Sequence, residues 1–253
     1  MSVFVKRNFH LEKSLKYKRT WCLWFAAGWA VSYALFFLIA FLCKAPMNVF
    51  VIVFFVTFIL LIISHIIISS YCDKKFNPDT VQAGLEGEEY AASVLSRLPD
   101  SYTVYQDQVV TYEGKESEMD NIVVGPGGVF VIETKNQNGV IYGSYSDRYW
   151  EQVKYGKGGN SYSKNMYSPI KQVGTHVYRL AHYLRAQGLR LEVTGMVFMT
   201  NREAVLSMKG KAEDILVYKA DTEGEKALLS TIKKGGAELT ESELKKINAI
   251  LAK

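Results

Sequence analysis

Two uncharged apolar runs near the start of the chain leave few options for how it folds. Trp21–Cys43 (WCLWFAAGWAVSYALFFLIAFLC) and Val49–Ser70 (VFVIVFFVTFILLIISHIIISS) contain no Asp, Glu, Lys or Arg. Each exceeds the roughly 20 residues a helix needs to cross the hydrocarbon core of a bilayer. A segment apolar on every side has no face to offer water. Only Lys44-Ala45-Pro46-Met47-Asn48 separates the two. The pattern predicts a transmembrane helical hairpin over residues 21–72, with helices at about 21–43 and 49–70. Trp21, Trp24 and Tyr71 suit the membrane–water interfaces.

Charge gives the hairpin a direction. Residues 1–20 form a basic arm, with Lys6, Arg7, Lys13, Lys16, Lys18 and Arg19 against Glu12. The arm resembles the start of a signal peptide, but the apolar run after it is too long and no small-residue cleavage site follows. Lys74 and Lys75 follow the second run. An excess of Lys and Arg at both outer ends places both termini and the soluble part in the cytoplasm, with the turn outside. The arm alone accounts for the formal net charge of +5 of the 253-residue chain. The soluble part is therefore nearly neutral and has no bulk positive field for nucleic acid, although a local basic patch stays open.

Other features of the hairpin carry weaker signals. His65 is a polar group inside the second run and so a formal functional candidate. It sits near the cytoplasmic end, where snorkelling or a helix–helix hydrogen bond explains it. Ala26, Ala27, Gly28 and Ala30 would permit close helix packing and a homo-oligomer. Cys22, Cys43 and Cys72 lack metal-ligand spacing, and the chain beyond them holds no cysteine, which suits a reducing compartment.

After a polar linker at 73–82, the soluble part reads as a mixed sheet flanked by helices, of α/β or α+β class. Val81–Leu98 has helical periodicity. Strands are expected at Tyr102–Tyr112, Asn121–Val124, Val129–Ile132, Gly139–Tyr145 and Asp147–Tyr155, followed by a loop over Gly156–Asn165. Ser168 as cap and Pro169 at the first position start a long helix that Gly188 closes. Strands at Leu191–Thr200 and Asp214–Ala220 follow, and a capping box of Thr240 with Glu243 opens a last helix.

The chemistry concentrates in Glu118–Lys135 (EMDNIVVGPGGVFVIETK). Gly125–Gly128 is a turn signal between two β-branched runs, so the start of the first strand lies beside the end of the second. Asp120 should therefore lie near Glu133 and Lys135, which share a face because they are two residues apart. Two carboxylates and an ammonium at a sheet end can hold a hard divalent cation and a water. They can equally be a surface ion pair. A second candidate region, Tyr142–Tyr167, interleaves tyrosines with Arg148, Lys154, Lys157 and Lys164. Such a mixture stacks bases and holds phosphates, and tyrosine is also common on half-exposed strands. Tyr149, Trp150, Lys154 and Lys164 are its candidate nucleic-acid contacts.

In this order the motifs resemble those of the nuclease-related domain, NERD, within the restriction-endonuclease-like PD-(D/E)xK superfamily. Gly84-Leu85-Glu86-Gly87-Glu88 matches a G-x-x-G-E helix motif, and Met119-Asp120-Asn121 matches I-D-[HN]. Gly128–Asn136 with Gly139 matches G-v-x-v-I-E-x-K-x…G, and Trp150 falls at a usual tryptophan position. Ser168-Pro169-Ile170-Lys171-Gln172 matches N-P-x-x-Q with Ser for Asn. The resemblance covers about 83–200 and implies a restriction-endonuclease-like domain over 83–205. A C-terminal strand and helices at 206–253 would then extend or pack on it.

The resemblance implies a metal-dependent phosphodiesterase core; with the apolar hairpin as anchor, the expectation is a membrane-anchored nuclease acting on DNA, in DNA processing or defence, at a bacterial plasma membrane. Asp120 and Glu133 would ligate Mg²⁺ or Mn²⁺, and Glu88 would reach it directly or through water. Lys135 would orient the attacking water or stabilise charge on the phosphate, and Gln172 would position water, substrate or Lys135. The alternative is a catalytically inactive, membrane-tethered module that binds nucleic acid or protein through the same cleft. A membrane assembly protein built on the hairpin is a third reading.

Overall fold

A computed structural model describes residues 2–5, 10–42, 46–75, 78–156, 158–210, 215–236 and 238–252. Lys6 and Arg7 of the basic arm, Lys44 of the hairpin turn, Phe76-Asn77 of the linker and Lys157 lie outside the described residues. The chain divides into two units. One is Phe9–Gln82, and the other joins Met1–Asn8 to Ala83–Lys253.

The first unit is helical. Helix α1 (His10–Leu42) begins within the basic arm, and α2 (Met47–Lys75) runs past the second apolar stretch. Phe54 of α2 meets Tyr33 and Phe37 of α1, with ring centroids 6.3 and 6.1 Å apart. The hydroxyls of Ser32 and Thr57 donate to carbonyls of the preceding turn, which satisfies them without water. Leu23, Trp24, Val31, Ile52, Phe55 and Ile66 are exposed. The helices stand where the apolar runs place them. Among the described residues, however, no helix is long and apolar enough to cross a membrane. The transmembrane part of the expectation thus has no support from the structure.

The second unit holds two mixed sheets. In chain order its elements are β1 (Val3–Val5), α3 (Pro78–Leu95), β2 (Thr103–Tyr112), β3 (Lys115–Gly125), β4 (Gly128–Lys135), β5 (Val140–Ser144), β6 (Tyr149–Tyr155) and β7 (Ser161–Tyr167). They continue with α4 (Pro169–Ala186), β8 (Val193–Met199), β9 (Val205–Lys209), β10 (Leu216–Lys219), α5 (Thr222–Lys234) and α6 (Glu241–Leu251). The larger sheet has the order β1-β2-β3-β4-β8-β10, and the smaller β7-β6-β5-β9. Strands β2, β3 and β4 are antiparallel, while β8 and β10 extend the sheet in parallel from β4.

The larger sheet is covered on both faces. Val123, Phe130, Ile132, Met196 and Phe198 pack against α3 and α5 on one side. Ile122, Val124, Val129 and Val131 pack against α4 and α6 on the other. Burial on both sides is why β4 reads as a continuous apolar run and not as an alternation. Glycine matters at Gly195 of β8, where a Cβ would lie 2.4 Å from Val173 Cγ1 of α4. Its absence lets α4 lie close on the sheet.

The structure departs from the sequence reading in places. Part of the expected 156–165 loop is strand β7, whose SYSKNMY side chains are mostly exposed and carry no apolar pattern. Strand β9 was not anticipated, and the helices expected within 206–253 include α5, which no local signal had placed. Asp221 caps α5 by accepting from Gly224 N at 2.8 Å. Ser168 holds the cap position of α4, but its hydroxyl is buried and caps nothing. The box of Thr240 and Glu243 forms as expected. Least expected is β1, where residues of the arm pair in parallel with β2, Phe4 opposite Val104. Ser2 is buried and donates to Leu95 O at 3.0 Å.

Candidate active site

The tight turn at Pro126-Gly127 sets the register of β3 against β4, with Asn121 opposite Ile132. One position further along, Asp120 and Glu133 come side by side. Asp120 is half-buried, and its Oδ2 accepts the Thr134 main-chain N–H at 2.7 Å. Glu133 is 1% exposed. The Lys135 ammonium donates to Glu133 Oε1 from the same face of the strand. Asn121, fully buried, donates to Thr134 Oγ1 at 3.3 Å and steadies the hairpin behind the carboxylates.

Helix α4 contributes a residue that sequence reasoning missed. His176 is buried, and its Nε2 lies 3.4 Å from Glu133 Oε2. The available signal was spacing, since His176 is four residues after Gln172 and shares its side of the helix. Gln172 itself is half-buried one turn nearer the start of α4. Glu88 comes from α3 on the other side of the sheet end. The preceding Gly87 explains how the helix gets so near. A Cβ there would lie 2.7 Å from Asn136 Cβ and 2.8 Å from Thr200 Oγ1. Asn136 donates to Ala83 O at 2.7 Å and ties α3 to the segment after β4.

Electrostatics follow from this crowding. Loss of hydration, then the nearby Glu133 charge, pushes the Asp120 carboxyl well above its usual range. Burial also acts to raise Glu133, but His176 and Lys135 outweigh it and hold Glu133 low. For Lys135, burial favours the neutral amine, yet Glu133, Asp120 and Glu88 together keep the ammonium and raise its pKa. The site therefore separates one carboxyl that resists ionisation from one that stays ionised.

Two carboxylates with Glu88 nearby form a hard oxygen donor set. Glu133 Oε2 is buried and accepts no hydrogen bond. A divalent cation would relieve the repulsion that raises Asp120. Among the described residues no group of three His, Cys, Asp or Glu side chains is arranged to hold a metal. Magnesium commonly takes one or two carboxylates and keeps several waters, so the pair suffices chemically.

The expected nucleic-acid contacts do not form one surface. Trp150 is 1% exposed, packed with Ile141, Val197 and Met199, and its indole N–H donates to Ser144 O at 3.1 Å. That corrects its assignment as a contact, because it belongs to the core. Side chains alternate along β6, so Tyr149 points to the face opposite Lys154. Tyr149 pairs with Tyr167, and Lys164 lies opposite Gln152. The two lysines thus share one face and Tyr149 lies on the other.

Comparison with known proteins agrees with the motif reading. The nuclease-related domain model, NERD, matches residues 83–200. An uncharacterised Bacillus anthracis protein is 36% identical over 106 residues, which cover 41% of this chain and 48% of that protein. The chain thus spans about half the length of this curated relative. No solved structure matches. Residues 83–200, which hold Glu88, Asp120, Glu133, Lys135, Gln172 and His176, carry a nuclease-related domain.

Proposed function

We propose that this protein is a membrane-anchored, metal-dependent phosphodiesterase acting on DNA at the cytoplasmic face of a bacterial plasma membrane, with a restriction-endonuclease-like core. The observation that carries the reading is the convergence of Asp120, Glu133 and Lys135 at one sheet end, within a segment that matches nuclease-related domains. Asp120 and Glu133 would hold Mg²⁺ or Mn²⁺, with Glu88 reaching it directly or through water. Such an ion supplies a polarised phosphate oxygen and a more acidic water. Lys135 orients that water or stabilises charge developing on the phosphate. Gln172 positions water or substrate, and His176, 3.4 Å from the second oxygen of Glu133, helps keep that carboxylate ionised.

The anchor rests on the two uncharged runs. Chain connectivity supports its topology. Residues 2–5 and 83–253 belong to one unit, so the helical insert leaves it and returns to it. A membrane segment with both ends on one side must cross an even number of times.

The test is cleavage of DNA by the full chain in detergent, with Mg²⁺ or Mn²⁺, for wild type, Glu133→Ala and Lys135→Ala. Metal-dependent cleavage lost in both variants is the expected result. Purified wild type that cuts no DNA with either ion would sink the proposal. It would leave the reading of an inactive binding module, which the Lys135–Glu133 ion pair favours, since the ammonium already holds a place a metal would take.

A further inference from the structure

The smaller sheet has an inner face whose position follows from the pairing. Glu133 lies beside Val197, and Lys135 beside Met199, in the parallel β4–β8 pair. Val197 and Met199 pack against Ile141 and Trp150 of the smaller sheet. The face of β6 that carries Trp150 therefore continues from the face that carries Glu133 and Lys135. Along that face β6 presents Gln152 and then Lys154. Gln152 donates to Asn138 O at 2.7 Å, which fixes it beside the segment leaving Lys135. On β7, Tyr162 lies opposite Lys154 and Lys164 opposite Gln152. The two lysines are thus diagonal neighbours, roughly 7–8 Å apart for such pairs.

By register the same face of β5, β6, β7 and β9 carries Ile141, Trp150, Gln152, Tyr162, Met166 and Leu206 but no Asp or Glu. Glu151 points to the opposite face. Among the described residues neither Lys154 nor Lys164 makes an ion pair. Lys164 is exposed and Lys154 half-buried. In a domain with almost no net charge, two adjacent unpaired ammoniums leading to an acidic site make a local field of the opposite sign.

We propose that Lys154 and Lys164, with Gln152 between them and the site, form the track along which the phosphates of a DNA strand are held on their way to Glu133 and Lys135. This rests on the phosphodiesterase reading for its substrate. The lysines supply point charges for backbone phosphates, which gives affinity without sequence preference. Tyr162 beside Lys154 offers a ring on the same face for a base.

The test uses the full chain in detergent, EDTA to prevent cleavage, and a fluorescein-labelled single-stranded DNA oligonucleotide read by anisotropy across a salt series. The Lys154→Ala/Lys164→Ala double variant should bind more weakly for every sequence tried. Its log Kd against log salt slope should fall by about 1.4, the loss of two single-strand phosphate contacts. Lys154→Arg/Lys164→Arg should restore binding, and Tyr149→Ala, on the opposite face, should bind as wild type. Unchanged affinity and slope in the alanine pair, weakening by Tyr149→Ala alone, or no DNA binding by wild type would each overturn the track. A parallel cleavage assay separates the two proposals. If the alanine pair binds normally while Glu133→Ala abolishes cleavage, the track fails and the phosphodiesterase reading stands. If binding depends on the lysines but nothing is cut, the track stands without the chemistry.

Discussion

Asp120 and Glu133 are neighbouring carboxyls with opposite tendencies, and this sets how the protein should respond to pH. The Asp120 pKa is raised by lost hydration and by Glu133, so its favourable contribution belongs below the unfolded value of about 3.9 and is lost as pH rises through the folded value. The Glu133 pKa is lowered, so its contribution is present above the unfolded value and is lost as pH falls through the folded one. Asp120→Asn should therefore melt higher than wild type at pH 8 without metal, with the difference vanishing towards pH 4. Saturating Mg²⁺ should stabilise wild type and not the variant, since only a ligand that prefers the folded state raises stability. Thermal melts at two pH values, with and without Mg²⁺, decide this. A variant that melts lower throughout would remove the strained-carboxyl account. His176 belongs to the same scale. Replacing it with Ala removes the imidazole 3.4 Å from Glu133 Oε2 that helps hold this carboxyl low, and the stability it supplies above the usual carboxylate range should be lost in urea unfolding. Asn at the position should retain part of it.

At the scale of elements, two close approaches build the site. Helix α3 comes near because Gly87 has no side chain, and α4 because Gly195 has none. Gly87→Ala places a methyl against Asn136 Cβ, an atom next to the main chain that cannot swing aside. The expected cost is about 1–3 kcal/mol of overpacking. Cleavage should fall further than stability explains, because Glu88 moves with the helix. Normal activity in a folded Gly87→Ala variant would show that Glu88 has no part in the chemistry. Strand β1 makes a second element-level claim. Deleting residues 2–5 uncovers the edge of β2 and removes the buried Ser2–Leu95 hydrogen bond. The truncated chain should melt lower and aggregate more readily, as unprotected edges do. A melt identical to wild type would mean that β1 contributes nothing to the fold.

For the whole molecule, the unit that holds the nuclease-related match at 83–200 is interrupted near its start by a helical insert. If α1 and α2 anchor it, the full chain should stay with the membrane fraction through alkaline carbonate washing. Tags placed at either terminus should both be protected from external protease in spheroplasts. Release by carbonate, or opposite exposure of the two tags, would refute the hairpin topology. The sequence by itself determined several things: the two apolar runs, the Pro126-Gly127 turn, and the order of motifs around Asp120, Glu133 and Lys135. Each is a local pattern of composition or spacing, which a chain carries whether folded or not. Tertiary structure alone decided that His176 meets Glu133 and that Trp150 is core. It also put Lys154 and Tyr149 on opposite faces and returned residues 3–5 to the sheet from across the insert. These are contacts between elements far apart in sequence, or exposed edge strands such as β7 with no apolar rhythm. No local pattern encodes them, because they are fixed only when burial of one face of each element selects its partners.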